Sequence, residues 1–176
     1  MAAPGSRKPK NPKSCHERAL GLLAVRARSR RELERRLLMA GFEVAEVADV
    51  LERLERVGLV DDRAFARQVA DHAFGVKRAG VRAVAGSLAA AGVSREIIAE
   101  TVDPHAVDED GRANALAESR AARMRSLEPE KAFSRLTSLL MRRGFGPEVA
   151  RGAASRALAL DVTEDDPSLA SRSLRP

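Results

Sequence analysis

Tryptophan and tyrosine are absent from this chain of 176 residues, and five phenylalanines make up its whole aromatic content of 3%. So few rings cannot pack a core and also supply a base-stacking platform or an aromatic groove for sugars or peptides. Cysteine occurs once, at Cys15, which excludes a disulfide within the chain and the clustered thiolates of a structural zinc site. A reducing compartment follows. No stretch approaches the roughly 20 apolar residues of a membrane span, and the first 13 residues have no apolar core of a signal peptide. The expected location is the cytoplasm, without membrane contact.

Catalytic patterns are equally scarce. His16, His72 and His105 are far apart in sequence, in no metal-ligand spacing. Neither a GxxxxGK[ST] loop nor a strand-borne GxGxxG is present, so no nucleotide cradle is expected. Cys15 falls in a first helical turn, where the helix dipole would lower its pKa, yet only His16 stands near it. It reads as a bland, partly exposed thiol. Asp61 and Asp62 fit a helix cap better than a metal-assisted hydrolase. The expectation is a protein that is not an enzyme and takes no cofactor or metal.

What the chain has in abundance is arginine. Of 31 basic residues only five are lysine, and the net charge is +6 with a pI near 10.4. Such a balance suits a polyanion or an acidic protein surface. A 51–52-residue repeat organises the rest: Leu33, Leu37, Gly41 and Phe42 recur as Val84, Leu88, Gly92 and Val93, then as Leu136, Leu140, Gly144 and Phe145. Apolar residues four apart share a helix face, and the glycine followed by an apolar residue suits a helix end. Each copy therefore closes a middle helix.

Around these anchors, Ser14-x-x-Glu17 and Ser29-x-x-Glu32 have capping-box spacing, Asp61 and Ser94 suit N-caps, and Pro129 and Pro147 suit first helical turns. In the first repeat the expected apolar stripes are Leu20, Leu23, Ala24 and Ala27, then Leu33, Leu37 and Ala40, then Val44, Val47, Leu51 and Leu54. No strand pattern appears. The expected fold is all-α, three tandem three-helix repeats forming an elongated, curved array. Its boundaries are a disordered basic tail at 1–13, repeats at 14–60, 61–104 and 105–160, and a disordered acidic tail at 161–176.

Basic clusters carry the functional signal. Arg26, Arg28, Arg30 and Arg31 straddle the start of the second helix, with Arg35 and Arg36 further along it. Lys77, Arg78 and Arg82 stand at the matching junction of the second repeat, and the third offers Arg120, Arg123, Arg125, Lys131, Arg135, Arg142 and Arg143. A single arginine on a helix beside Glu32, Glu34 or Glu118 is ordinarily a solvated face, but recurrence points to a binding track. Without aromatic stacking, that track would meet backbone phosphates or an acidic protein surface rather than read bases.

The run Arg26, Arg28, Ser29, Glu32 and Leu33, followed by Leu37, Gly41-Phe42, Val50-Leu51, Leu54, Gly58-Leu59-Val60-Asp61-Asp62 and Phe65-Ala66, closely resembles the RecX family of recombination regulators. Arg142-Arg143-Gly144-Phe145 adds to the resemblance, which spans about residues 15–160. It implies three tandem three-helix repeats that bind RecA and the RecA–single-stranded DNA filament and modulate it, usually by inhibiting ATPase, strand exchange and co-protease activity. DNA repair, homologous recombination and the SOS response are the setting it implies. The expected state is a monomer, and direct contact with the DNA phosphate backbone is left open. Arg26, Arg28, Arg30 and Arg31 are the leading contact candidates, then Lys77, Arg78 and Arg82, then Arg142 and Arg143, while Asp61, Asp62 and Phe65 are read as cap and core.

Two other readings compete. Ser29 to Leu54 could be a helix-turn-helix DNA-binding regulator, although Glu43 and Glu46 at the start of its second helix would repel phosphate. A helical-repeat scaffold for another protein fits the same fold.

Overall fold

The computed structural model describes residues 13–124 and 126–159; the acidic tail, all but the last residue of the basic tail, and Arg125 lie outside the described residues. Among the described residues are nine α-helices and no strand. They are α1 (Cys15–Val25), α2 (Arg30–Met39), α3 (Val44–Arg56), α4 (Asp62–Asp71), α5 (Val81–Ala90), α6 (Arg95–Ala106), α7 (Glu109–Ala121), α8 (Pro129–Arg142) and α9 (Pro147–Leu158). A π-helical turn, His72–Val76, continues α4, and a short 3-10 turn, Ala122–Met124, continues α7. The fold is all-α, as expected.

The repeated glycine is a repeated hydrogen-bond pattern. Gly41, Gly92 and Gly144 have φ of 92°, 82° and 90°, a conformation a side chain resists. Each donates its N–H three residues back, to Leu38, Ala89 and Met141 at 3.0, 2.9 and 2.9 Å. The next residues, Phe42, Val93 and Phe145, donate to the carbonyls of Leu37, Leu88 and Leu140 at 3.4, 3.1 and 3.2 Å. This paired closure satisfies carbonyls that the helix end leaves open and folds the following apolar side chain back onto the helix. Phe42, Val93 and Phe145 are all buried.

Helix starts are set by caps. Ser14 and Glu17 form a complete capping box, with Glu17 N–H donating to Ser14 Oγ at 3.2 Å and Ser14 N–H to Glu17 Oε2 at 2.8 Å. Asp61 accepts the N–H groups of Arg63 and Ala64 at 2.8 and 3.0 Å, Ser94 accepts that of Ile97, and Pro129 and Pro147 open α8 and α9. The second expected box is only half made. Ser29 Oγ accepts Glu32 N–H at 3.1 Å, but the Glu32 carboxylate turns to arginines instead of back to the cap.

Two apolar stripes need correction. The buried side of α1 is Cys15 and Ala19, with Leu22 and Leu23 packed against the core, while Leu20 and Ala24 are exposed and Ala27 follows the helix end. On α3 the stripe is Val47, Val50, Leu51 and Leu54, and Val44 is exposed. Phe65 is half-buried rather than core.

The chain forms two compact units. Of the described residues, one takes 13–77 together with Val81–Val107; the other takes Arg78–Gly80, 108–124 and 126–159. Within the first, α1–α3 enclose a core of Leu33, Leu37, Phe42, Val47, Leu51, Leu54 and neighbours. Two polar tethers join α2 to the elements that follow: Ser29 Oγ donates to Ala91 O at 2.5 Å, and Arg30 N–H donates to Asp62 Oδ1 at 2.8 Å. Asp62 thus places a carboxylate at the N-terminus of another helix, where unpaired N–H groups and the dipole favour it. In the second unit α7, α8 and α9 pack around Leu116, Leu136, Leu140, Phe145 and several alanines. Gly80 donates its N–H to Arg143 O at 2.9 Å, and a Cβ on Gly80 would collide with the backbone of Gly144.

Candidate partner-binding surface

The arginines at the start of α2 fall into two kinds. Arg28 is buried, with Nε donating to Leu22 O at 3.2 Å and Nη1 to Glu32 Oε1 at 2.5 Å. Glu32 Oε1 also pairs with Arg26 and, at 3.3 Å, with Arg36 Nε. Burial by itself would raise the Glu32 carboxyl pKa, but the hydrogen bond and charge of Arg26, with those of Arg28 and Arg36, hold it below the ordinary glutamate value. Glu32 therefore stays charged, and three guanidinium groups are tied to the α1–α2 corner. Arg30 is also engaged, through Nε to Glu55 Oε1 at 2.9 Å.

Arg31 and Arg35 differ. Both are exposed on α2 and, among the described residues, neither makes an ion pair. The stem of Arg31 lies so close to Gly92 that a Cβ there would collide with it. Gly92 is thus needed twice, for its left-handed backbone and for the passage of this side chain. Arg31, Arg35, Leu38 and Met39 form one wall of a groove of about 880 Å³ whose other wall is Ala89–Gly92, at the end of α5. A second hollow of about 490 Å³, lined by Arg18, Leu22, Arg36 and Ala40, shares Arg35 and Met39 with it.

The remaining candidates are divided between the two units. Lys77 follows the π-helical turn and Arg82 lies in the first turn of α5, both exposed. Arg78 is exposed, has φ of 48°, and Nη1 donates weakly to Ala115 O at 3.4 Å. Arg142 and Arg143, both exposed, stand at the C-terminal end of α8, next in the fold to Arg78–Gly80 through the Gly80 hydrogen bond. They therefore do not occupy the position that Arg26–Arg31 and Lys77–Arg82 share, which is the start of a middle helix. Near that third junction stand Arg120, half-buried, and Arg123, exposed.

Cys15 is fully buried, not partly exposed, and its pKa is pushed up to about 11, first by burial and then by the Glu46 carboxylate. The dipole at the start of α1 does not make it a nucleophile. The exposed methionine at position 39 had no place in the arginine pattern, though its out-of-phase position beside the Leu33–Leu37 stripe is a visible signal.

Fold and surface define a class: an all-helical protein of tandem three-helix units, with arginines gathered at helix junctions. Residues 15–54 match the family description "RecX, first three-helix domain", and residues 61–102 match "RecX, second three-helix domain". The chain belongs to the RecX family. It is 37% identical to Regulatory protein RecX of Mycobacterium sp. (strain JLS), over 88% of this chain and 82% of that one. The protein of the same name from Mycolicibacterium smegmatis is 36% identical over 89% of this chain and 88% of its own length. Among solved structures, RecX from Lactobacillus salivarius superposes with a TM-score of 0.71, covering 84% of this chain and 96% of that one at 18% identity. Among the described residues no helix is long and apolar enough to cross a membrane.

Proposed function

We propose that this chain is a regulator that binds RecA and the RecA filament on single-stranded DNA and inhibits its ATPase, strand exchange and co-protease activity. The observation that carries the reading is the ordered run from Arg26 to Ala66, in a chain that belongs to the RecX family over most of its length. The structure supports it with a compatible surface: exposed arginines at the start of α2 and α5 in one unit, and at Arg78, Arg142 and Arg143 in the other. Residues 105–160 are, in this reading, a third copy of the module, supported by the α8 closure that repeats those of α2 and α5. The protein acts as a cytoplasmic monomer, without cofactor or catalysis of its own.

A base-reading helix-turn-helix is disfavoured by local chemistry. Its reading helix would be α3, which opens with exposed Glu43 and Glu46, and carboxylates there repel the phosphate backbone. The deciding experiment is RecA ATPase on single-stranded DNA, with this protein titrated in well below one copy per RecA protomer. Strong suppression at such ratios is expected, because a binder bridging adjacent protomers shifts a whole filament through its preference for one state. An unchanged rate up to equimolar protein would sink the proposal.

A further inference from the structure

The groove between α2 and the end of α5 combines features that a solvated helix face does not need. Met39 is 81% exposed and Leu38 38%, so apolar surface lies open to water next to two arginines without an ion pair among the described residues. The neighbouring charges are already committed: Glu32 to Arg26, Arg28 and Arg36, and Arg30 to Glu55. Arg31 is further held by the passage of its stem over Gly92, which limits the rotamer freedom it would lose on binding. A preset guanidinium, a second arginine one turn on, and a flexible thioether form an adaptable apolar surface with a fixed charge.

We propose that this groove is a docking surface for a protein segment that carries carboxylates interleaved with bulky aliphatic side chains. The carboxylates would meet Arg31 and Arg35, and the aliphatic groups would cover Leu38 and Met39. A nucleic-acid backbone matches only half of this surface. Phosphates satisfy the arginines but bring nothing to bury Met39 or Leu38. The hollow beyond Met39 and Arg35, lined by Arg18 and Leu22, continues the same mixture and lengthens the track available to an extended segment.

The inference rests on the reading that this chain binds a RecA filament, and its test separates the two. A photo-crosslinking amino acid replaces Met39 in the full chain, the filament on single-stranded DNA is sedimented with it, and the irradiated pellet is analysed by mass spectrometry. The expected crosslink falls on a RecA segment with more Asp and Glu than Lys and Arg and with aliphatic neighbours. Co-sedimentation without a crosslink, or a crosslink to DNA or to a neutral or basic segment, overturns the docking proposal and leaves the functional reading standing. Failure to co-sediment would overturn both. As an independent measurement, the double variant Arg35→Glu, Met39→Asp should bind the filament about tenfold more weakly. The control Arg53→Glu, Arg56→Glu changes more charge on another exposed face and should bind within about twofold of the parent. Equal losses in both would reduce the effect to net charge and refute a specific groove.

Discussion

Around α1–α3 the core is built from branched side chains, Leu33, Leu37, Val47, Val50, Leu51 and Leu54, with Phe42 closing it and Ala19 the one alanine among its ten buried residues in the described chain. In the core of the second unit six of ten residues are alanine: Ala113, Ala117 and Ala121 on α7, and Ala150, Ala153 and Ala154 on α9. Helices separated by leucines stand further apart than helices meeting through methyl groups. The first core thus gains stability from apolar bulk, whereas the second depends on close backbone approach with little room to spare. Opposite changes in side-chain size should expose the difference.

The largest effect should come from removing bulk where bulk fills the core. Leu51 is fully buried, and Leu51→Ala should cost about 2–5 kcal/mol in denaturant unfolding, from lost transfer energy and an unfilled cavity. A loss under about 1 kcal/mol would mean that the α1–α3 core collapses around the gap, and the contrast between the cores would weaken. The complementary change adds bulk where none fits. Ala153→Leu places a branched side chain at a fully buried position of α9 and should cost about 1–3 kcal/mol through overpacking. Hydrogen exchange should show the loss concentrated in α7–α9. A neutral or stabilising Ala153→Leu would show that the alanine core has slack.

The same contrast explains how much of this molecule is legible from residues alone. Helix ends are local: glycine followed by an apolar residue, four steps after a leucine or valine pair, encodes the closures at Gly41, Gly92 and Gly144 without help from distant contacts. The buried face of α1 is not local. Apolar residues at Ala19, Leu20, Leu22, Leu23, Ala24 and Val25 cover most of its circumference, and packing against α2 and α3 decides that Cys15 and Ala19 turn inward. The surface shows the same division. Arginines at 26, 28, 30, 31 and 35 look alike in sequence, but the route of the Glu32 carboxylate sorts them, tying Arg26 and Arg28 into the α1–α2 corner and leaving Arg31 and Arg35 unpaired among the described residues. Destinations such as Asp62 on the Arg30 amide or Ser29 on the Ala91 carbonyl span 32 and 62 residues. No short-range pattern announces them.

The smallest of the expected effects separates the cores by chemistry rather than by size. Cys15 belongs to the α1–α3 core, while the ten buried residues clustered among α7–α9 are alanine, leucine and phenylalanine. Its thiol is shifted from the ordinary 9.0 up to about 11, chiefly by burial, with Glu46 adding to the shift. A pKa raised in the folded state means that the unfolded chain releases the proton first. The stabilising contribution is therefore complete below pH 9 and lost as pH climbs through the folded value near 11. Between these limits the first core should loosen ahead of the second, and the slope of stability against pH should flatten in Cys15→Ala. Thiol labelling should agree: a disulfide reagent at pH 8 should modify the native chain far more slowly than the chain unfolded in denaturant, because the thiolate is scarce and the sulfur is enclosed. Rapid native labelling would show that α1 opens locally, making the branched-chain core the less firmly closed of the two.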